Sequence, residues 1–290
     1  MFGRKAILIL LCASACLAAQ FSGDSAYRIT ERAVSFGPRT PGSEAIEKLR
    51  SYILAELKPL GCEVSLDPFT ARTPHGPVVM KNIIARFPGK TGRAIAFTGH
   101  YDTKIFRGFR FVGANDAGSS TGLLLELART LSGQPRKDDV YLVWFDGEEA
   151  FEEWSATDGL YGSRHLAARW NADNTARDLK ALINVDMIGD KDLRIAREVN
   201  SSARLTRLVW QVAADLGYGS HFTDRELSID DDHMPFVRIG VPSLNLIDFD
   251  YGPGHSWWHT AHDTMDKLSP RSFQVVGDVL LETLRQLEAQ

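Results

Sequence analysis

The sequence predicts a three-layer α/β fold built on a mixed, mostly parallel central sheet. From Ala94 onward, short apolar runs with strand character alternate with longer segments of helical periodicity, the pattern of successive strand and helix units. Acidic and histidine residues gather directly behind several of those runs, and in open α/β sheets the carboxyl ends of the strands are where ligands bind. With 290 residues, 44% of them hydrophobic, the chain is long enough to bury a full core as one large domain.

The first element is an expected export signal over residues 1–19. Arg4-Lys5 precede the apolar run Ala6 to Leu11, and small residues follow at Ala13, Ser14, Ala15, Ala18 and Ala19. The run is too short for a comfortable membrane span, so a secreted or periplasmic location is expected, with Cys16 as an alternative point of lipid attachment. Cleavage near Ala19 removes Cys12 and Cys16 and leaves Cys62 without an intramolecular partner. It also lowers the basic count from 33 to 31 against 37 acids, giving residues 20–290 a formal charge of −6. That balance, with a pI near 6.1 for the whole chain, excludes the basic surface that nucleic-acid binding requires.

Behind the signal, Ala26 to Phe36 and Ser43 to Leu60 space their apolar residues as helices, separated by the breaker-rich Gly37-Pro38-Arg39-Thr40-Pro41-Gly42. Ser43 is placed to cap the second helix. Strands are expected at Glu63 to Phe69, Val78 to Phe87 and Ala94 to Gly99, then a helix from about Ser120 to Leu131. The alternation continues with a strand at Val140 to Phe145, a helix around Gly162 to Trp170, a strand at Ala181 to Met187 and a helix at Ser201 to Leu216. A strand at Ser243 to Ile247 and a helix from Pro270 to Leu287 complete it, with no internal repeat.

Glu148 and Glu149 carry the strongest chemical signal. Two adjacent carboxylates behind the apolar run Val140 to Phe145 repel each other unless a cation or a shared proton relieves them. At an extended strand end the two side chains point to opposite sides, so one can hold a metal while the other faces the substrate as a base. His100 and Asp102 alternate behind Ala94 to Thr98, where an aspartate can orient a metal-binding imidazole or simply satisfy it. Asp116 sits among Gly113, Ala114, Ala117 and Gly118, small neighbours that let a backbone approach an ion, and a helix cap is an equal reading. Asp186 closes Leu182 to Val185, where an unpaired buried charge is very costly, so it wants a metal, a proton or a donor. Either His259 or His262 fits as a ligand on spacing. Asp230-Asp231-Asp232-His233 reads as a solvated acidic turn ahead of Met234 to Arg238. The sequence has no Gly-x-Ser-x-Gly elbow to support serine chemistry.

In order, Gly99 to Lys104, Asn115 to Gly118, Phe145 to Phe151, Leu160 to Leu166 and Trp258-His259-Thr260 resemble the glutaminyl-peptide cyclotransferases, which share their fold with the secreted zinc aminopeptidases. The likeness runs from about residue 27 to residue 288. Trp154, Asp231 and Trp258 look like the cyclotransferase branch rather than the aminopeptidases.

The resemblance implies a zinc aminopeptidase/phosphorylase-hydrolase-like fold with one zinc ion on Asp116, Glu149 and His259, leaving the open position that a catalytic zinc needs. It implies Glu148 as general base, a hydrogen-bond network of Glu148, Asp186 and Asp231, and a small dry pocket walled by Trp154 and Trp258. The implied reaction turns an N-terminal glutaminyl residue of a peptide or protein into pyroglutamate with loss of ammonia. In the aminopeptidases, residues matching His100 and Asp186 complete a two-metal site bridged by the residue matching Asp116, so a secreted two-zinc aminopeptidase is the alternative. Two departures from the animal enzymes stand out: Gly99 replaces a cysteine of a disulfide, and Phe249 to Trp257 differs in content.

Overall fold

The computed structural model describes residues 20–290. The expected export signal, with Cys12 and the alternative lipidation site Cys16, lies outside the described residues. Helices α1 (Gly23–Ser35) and α2 (Glu44–Leu57) are capped by Ser22 and Ser43, whose hydroxyls accept from the N–H groups of Ser25 and Ile46. A hairpin of β1 (Glu63–Thr73) and β2 (Gly76–Phe87) follows, then β3 (Ala94–His100), α3 (Gly118–Leu131) and β4 (Asp139–Phe145). Next come α4 (Tyr161–Ala172), the single turn α5 (Thr175–Asp178), β5 (Leu179–Asp186) and β6 (Ile195–Glu198). The chain continues through α6 (Ala203–Asp215), β7 (Phe222–Leu227), α7 (Met234–Arg238), β8 (Ser243–Ile247) and α8 (Pro270–Glu288).

The main sheet has the order β1-β2-β4-β3-β5-β8. β4, β3, β5 and β8 pair in parallel, whereas β2 is antiparallel to both β1 and β4, so the sheet is mixed and mostly parallel as expected. Side chains leave a strand on alternate faces, and β3 shows the result: Ile95 and Phe97 join one core, Ala94 and Ala96 the other. The first core lies under α1, α2, α3, α6 and α8, and the second under α4 with α5 and α7. β3 is buried along its whole length, which is why its sequence is a continuous small and apolar run.

Two features differ from the expectation. β1 continues past Phe69 to Thr73, through Pro68, which an edge strand tolerates because no further strand needs its missing N–H. A second sheet, the parallel pair β6 and β7, escaped the sequence reading because β6 is four residues long and β7 is Phe-Thr-Asp-Arg-Glu-Leu, largely exposed.

Of the glycines near Asp116, Gly113 lets the loop close, since a Cβ there would meet the Asp116 carbonyl, and Gly118 lies against α1, where a Cβ would stand 3.1 Å from Val34 Cγ2. A Cβ on Gly122 would lie 2.1 Å from Thr30 Oγ1 and 2.5 Å from the Ala26 carbonyl, so α1 and α3 can cross in near contact only with glycine there. Gly99 is likewise required, since a Cβ would stand 2.7 Å from that of Ser120 and 2.8 Å from the Val185 carbonyl. Cys62 is a half-buried free thiol whose Sγ lies 3.8 Å from the Leu57 carbonyl, as expected for a structural cysteine.

Candidate metal centre and catalytic pocket

Every residue of the site sits at or behind the carboxyl end of a parallel strand. His100 closes β3 and Asp186 closes β5, Glu148-Glu149 follow β4, and Asp116 opens the way into α3. His259 lies in the long segment between β8 and α8. Long-range hydrogen bonds hold these loops. The Asp263 carboxylate accepts from the N–H groups of Asn115 at 2.8 Å and Asp116 at 3.2 Å, and Tyr251 donates to it at 2.7 Å. The buried Arg39 guanidinium donates to the carbonyls of Gly37, Tyr101, Val112 and Gly113 at 2.6–3.3 Å, binding the end of β3 to the Asp116 loop. Under the glutamate pair, Asp102 accepts from the N–H groups of Glu148 at 3.1 Å and Glu149 at 3.3 Å.

Two triads share Asp116. His259 Nε2 lies 2.9 Å from Glu149 Oε1 and 3.2 Å from Asp116 Oδ2. His100 Nε2 lies 3.2 Å from Asp116 Oδ1 and 3.3 Å from Asp186 Oδ1. Within each triad the ligand atoms fall within 4.8 Å of one another. The donor set, imidazole with carboxylates, suits zinc, and the buried Glu149 Oε2 has no hydrogen-bond partner among the described residues. These residues therefore fit the metal.

The electrostatics agree with a cation site. Burial raises the Asp116 carboxyl, but hydrogen bonds from His100 and His259 outweigh it and hold it well below the usual range. Burial works against a charged His259, yet Glu149 and Asp116 win and push its pKa up to about 10. Glu148 is held well above the carboxylate range by burial, with His100 opposing and Glu149, Asp232 and Asp231 adding to it. Burial likewise pushes Asp186 up to about 7 against the pull of His100.

Asp116, Glu149 and His259 line a cavity of about 480 Å³ together with Glu148, Asp186 and Asp231. Trp154 and Trp258 line the same space. Trp258 stacks on the His259 ring, with centroids 4.0 Å apart and planes 16° from parallel. Trp154 is 39% exposed at the mouth and packs against Gly159, so it is a rim residue rather than a core one. His100 is buried behind the cavity, and His262 is exposed and away from it.

Several readings change here. Glu148 and Glu149 lie in the loop beyond β4, not at a strand end, although they diverge as expected: Glu149 toward His259, Glu148 toward His100 Nδ1 at 3.7 Å. Asp231 and Asp232 are buried, and only Asp230 belongs to the solvated turn expected of the run. Glu148, Asp186 and Asp231 line one cavity, but no direct hydrogen bond joins them among the described residues. Instead, Asp231 accepts from Asn184 at 3.0 Å and Asn245 at 2.6 Å, two amides inside β5 and β8. Sequence reasoning missed the gripping roles of Arg39, Asp102 and Asp263. It also missed Phe106 and Phe111, whose rings meet His259 edge-on at 5.7 and 5.8 Å between centroids.

Overlapping carboxylate and imidazole triads at the carboxyl ends of a mostly parallel sheet define an aminopeptidase-like, metal-dependent enzyme. The chain belongs to peptidase family M28, whose model matches residues 82–284, on the branch of the glutaminyl-peptide cyclotransferases. A Drosophila melanogaster glutaminyl-peptide cyclotransferase is 32% identical over 252 residues, 78% of this chain and 70% of the relative. An Acidobacteriales bacterium glutaminyl cyclase structure matches at 41% identity with a TM-score of 0.91, covering 99% of each chain. A Zn-dependent exopeptidase from Parabacteroides distasonis matches at 25% identity with a TM-score of 0.82, covering 94% of this chain and all of that one.

Proposed function

We propose that residues 20–290 form one catalytic domain, exported by the segment 1–19, that converts N-terminal glutaminyl residues of peptides and proteins into pyroglutamate with release of ammonia. The observation that carries this reading is one cavity lined at once by a metal-ligand triad, an extra carboxylate in Glu148 and two indoles, in a chain whose relatives are named for this reaction.

Asp116, Glu149 and His259 would hold a single zinc ion. When bound there, zinc supplies Lewis acidity to polarise the γ-amide carbonyl of the substrate. The peptide's own α-amine attacks that carbonyl carbon, closing a five-membered lactam. Glu148 takes the proton from the amine and passes it to the departing ammonia, and burial, which holds its carboxyl above the usual range, strengthens its hold on that proton between the two steps. Asp186 and Asp231 add negative charge beside Glu148 and orient the substrate nitrogen. Trp258 and Trp154 flank the glutamine side chain and limit water. Because nucleophile and electrophile lie in one molecule, orientation supplies much of the rate.

The alternative, a two-zinc aminopeptidase, draws on the second triad of His100, Asp116 and Asp186. Metal analysis separates the two. The purified protein is expected to hold about one tightly bound zinc per chain, lost in His259→Ala together with activity. Two tight equivalents, with activity rising on the second, would overturn the single-zinc assignment.

A further inference from the structure

The interior of the pocket is acidic, through Glu148, Asp186 and Asp231, and this suits the α-amine of a peptide entering by its N-terminus. Its mouth is different. Arg164 on α4 and Arg238 at the end of α7 both line it. Arg238 has one acidic neighbour, Asp230, at 3.3 Å, and both side chains are more than half exposed.

Arg164 has no ion pair among the described residues. Its guanidinium donates to two neutral carbonyls, Ala156 and Thr157, in the loop that carries Trp154, and packs over the Tyr161 ring at 5.1 Å. Burial and the like charge of Arg238, opposed by Tyr161 and more weakly by the carboxylate of Asp158, hold it below its ordinary range, so the two arginines feel each other. A chain of formal charge −4 thus keeps two arginines, with a single direct ion pair, Arg238 to Asp230, among the described residues, at the entrance to an acidic pocket. Such a field favours a substrate with an amine at the inner end and a carboxylate at the outer one.

We infer that this rim selects glutaminyl peptides carrying acidic side chains in the residues directly behind the glutamine, with Arg164 and Arg238 as the recognising groups. The inference rests on the cyclisation reading for its substrate class. A carboxylate reaching the rim takes up guanidinium donors that no acid in the chain occupies at Arg164 and that Asp230 engages loosely at Arg238.

The test compares Gln-Glu-Glu-Ala, Gln-Ala-Ala-Ala and Gln-Lys-Lys-Ala, all amidated at the C-terminus, with the zinc-loaded protein at low salt. Ammonia release is expected to rank them in that order in kcat/KM, with glutamate ahead of lysine by about tenfold through KM, and the gap closing at high salt. Arg238→Glu should invert the ranking. Arg164→Gln, which keeps donors for the two carbonyls, should reduce the glutamate preference by about threefold. Equal rates for all three peptides, or a ranking that survives both substitutions, would overturn the rim assignment. Calorimetric binding of the same peptides keeps the two claims apart. A glutamate preference in Kd without ammonia from any peptide supports the rim and contradicts cyclisation, whereas ammonia from all three at equal Kd contradicts the rim alone.

Discussion

At the residue scale the site turns on two neighbours with different work. Glu149 points at His259 and Asp116, Glu148 at His100, and the backbone of both is held by one acceptor, Asp102. Glu148→Gln should therefore retain zinc and lose turnover by roughly a hundredfold or more, the usual scale for a removed acid/base group. Glu149→Gln should release the metal itself, and zinc content measured beside activity separates the two. The opposite pattern would mean the roles are reversed. Asp263 is a second point of control, since its two oxygens fix the backbone on either side of the Asn115-Asp116 peptide. Asn in its place turns one acceptor into a donor facing an N–H, so Asp263→Asn should weaken zinc binding about tenfold to a hundredfold in a chelator competition. The glutamate pair was legible because adjacent carboxylates behind an apolar run need an explanation. Asp102 and Asp263 were not, because the backbone N–H groups they hold lie 46 to 148 residues away in sequence.

At the element scale, the short sheet of β6 and β7 earns its place through Glu198, the last residue of β6. It accepts from His233 Nε2 at 3.0 Å, from the Asn200 amide and from the Ser201 hydroxyl, tying β6 to the turn that carries Asp231 and Asp232. Burial alone would raise its pKa, but the His233 hydrogen bond and the other donors prevail and bring it down from 4.5 to about 2. A carboxyl depressed in the fold stabilises it above the unfolded pKa and loses that contribution as pH falls toward the folded one. Stability should accordingly drop between about pH 4.5 and pH 2, and Glu198→Gln should flatten that limb of a Tm-against-pH profile. An unchanged acid limb in the variant would contradict the assignment. The buried strands β3, β4, β5 and β8 were readable as apolar runs, since burial on both faces leaves a strong signal, whereas the largely exposed edge strand β1 was legible only in part and its end was missed. β6 and β7 were not, since a short pair exposed on one side carries little apolar pattern, and strand order is set by contacts that no local pattern encodes.

At the scale of the whole molecule, four parallel strands deliver their carboxyl ends to one edge, and the loops beyond them build an acidic floor, a metal triad and an indole-walled mouth. The residues that the family resemblance implied as ligands come together in the fold, which motif order along the chain could suggest but spacing alone could not derive. The sequence could not report that the Asp231 carboxylate is anchored by amides of β5 and β8, or that Trp154 stands at the rim. The central claim is chemical: a cavity of about 480 Å³ with a carboxylate base and flanking indoles accepts a γ-amide and rejects a bulky apolar side chain, whose binding would leave its polar groups unpaired. The most direct measurement offers the zinc-loaded protein a glutaminyl dipeptide and leucyl amide together and follows ammonia, pyroglutamate and free leucine. Pyroglutamyl product with one equivalent of ammonia and no free leucine is the predicted result. Free leucine released without pyroglutamate would contradict it and leave an aminopeptidase.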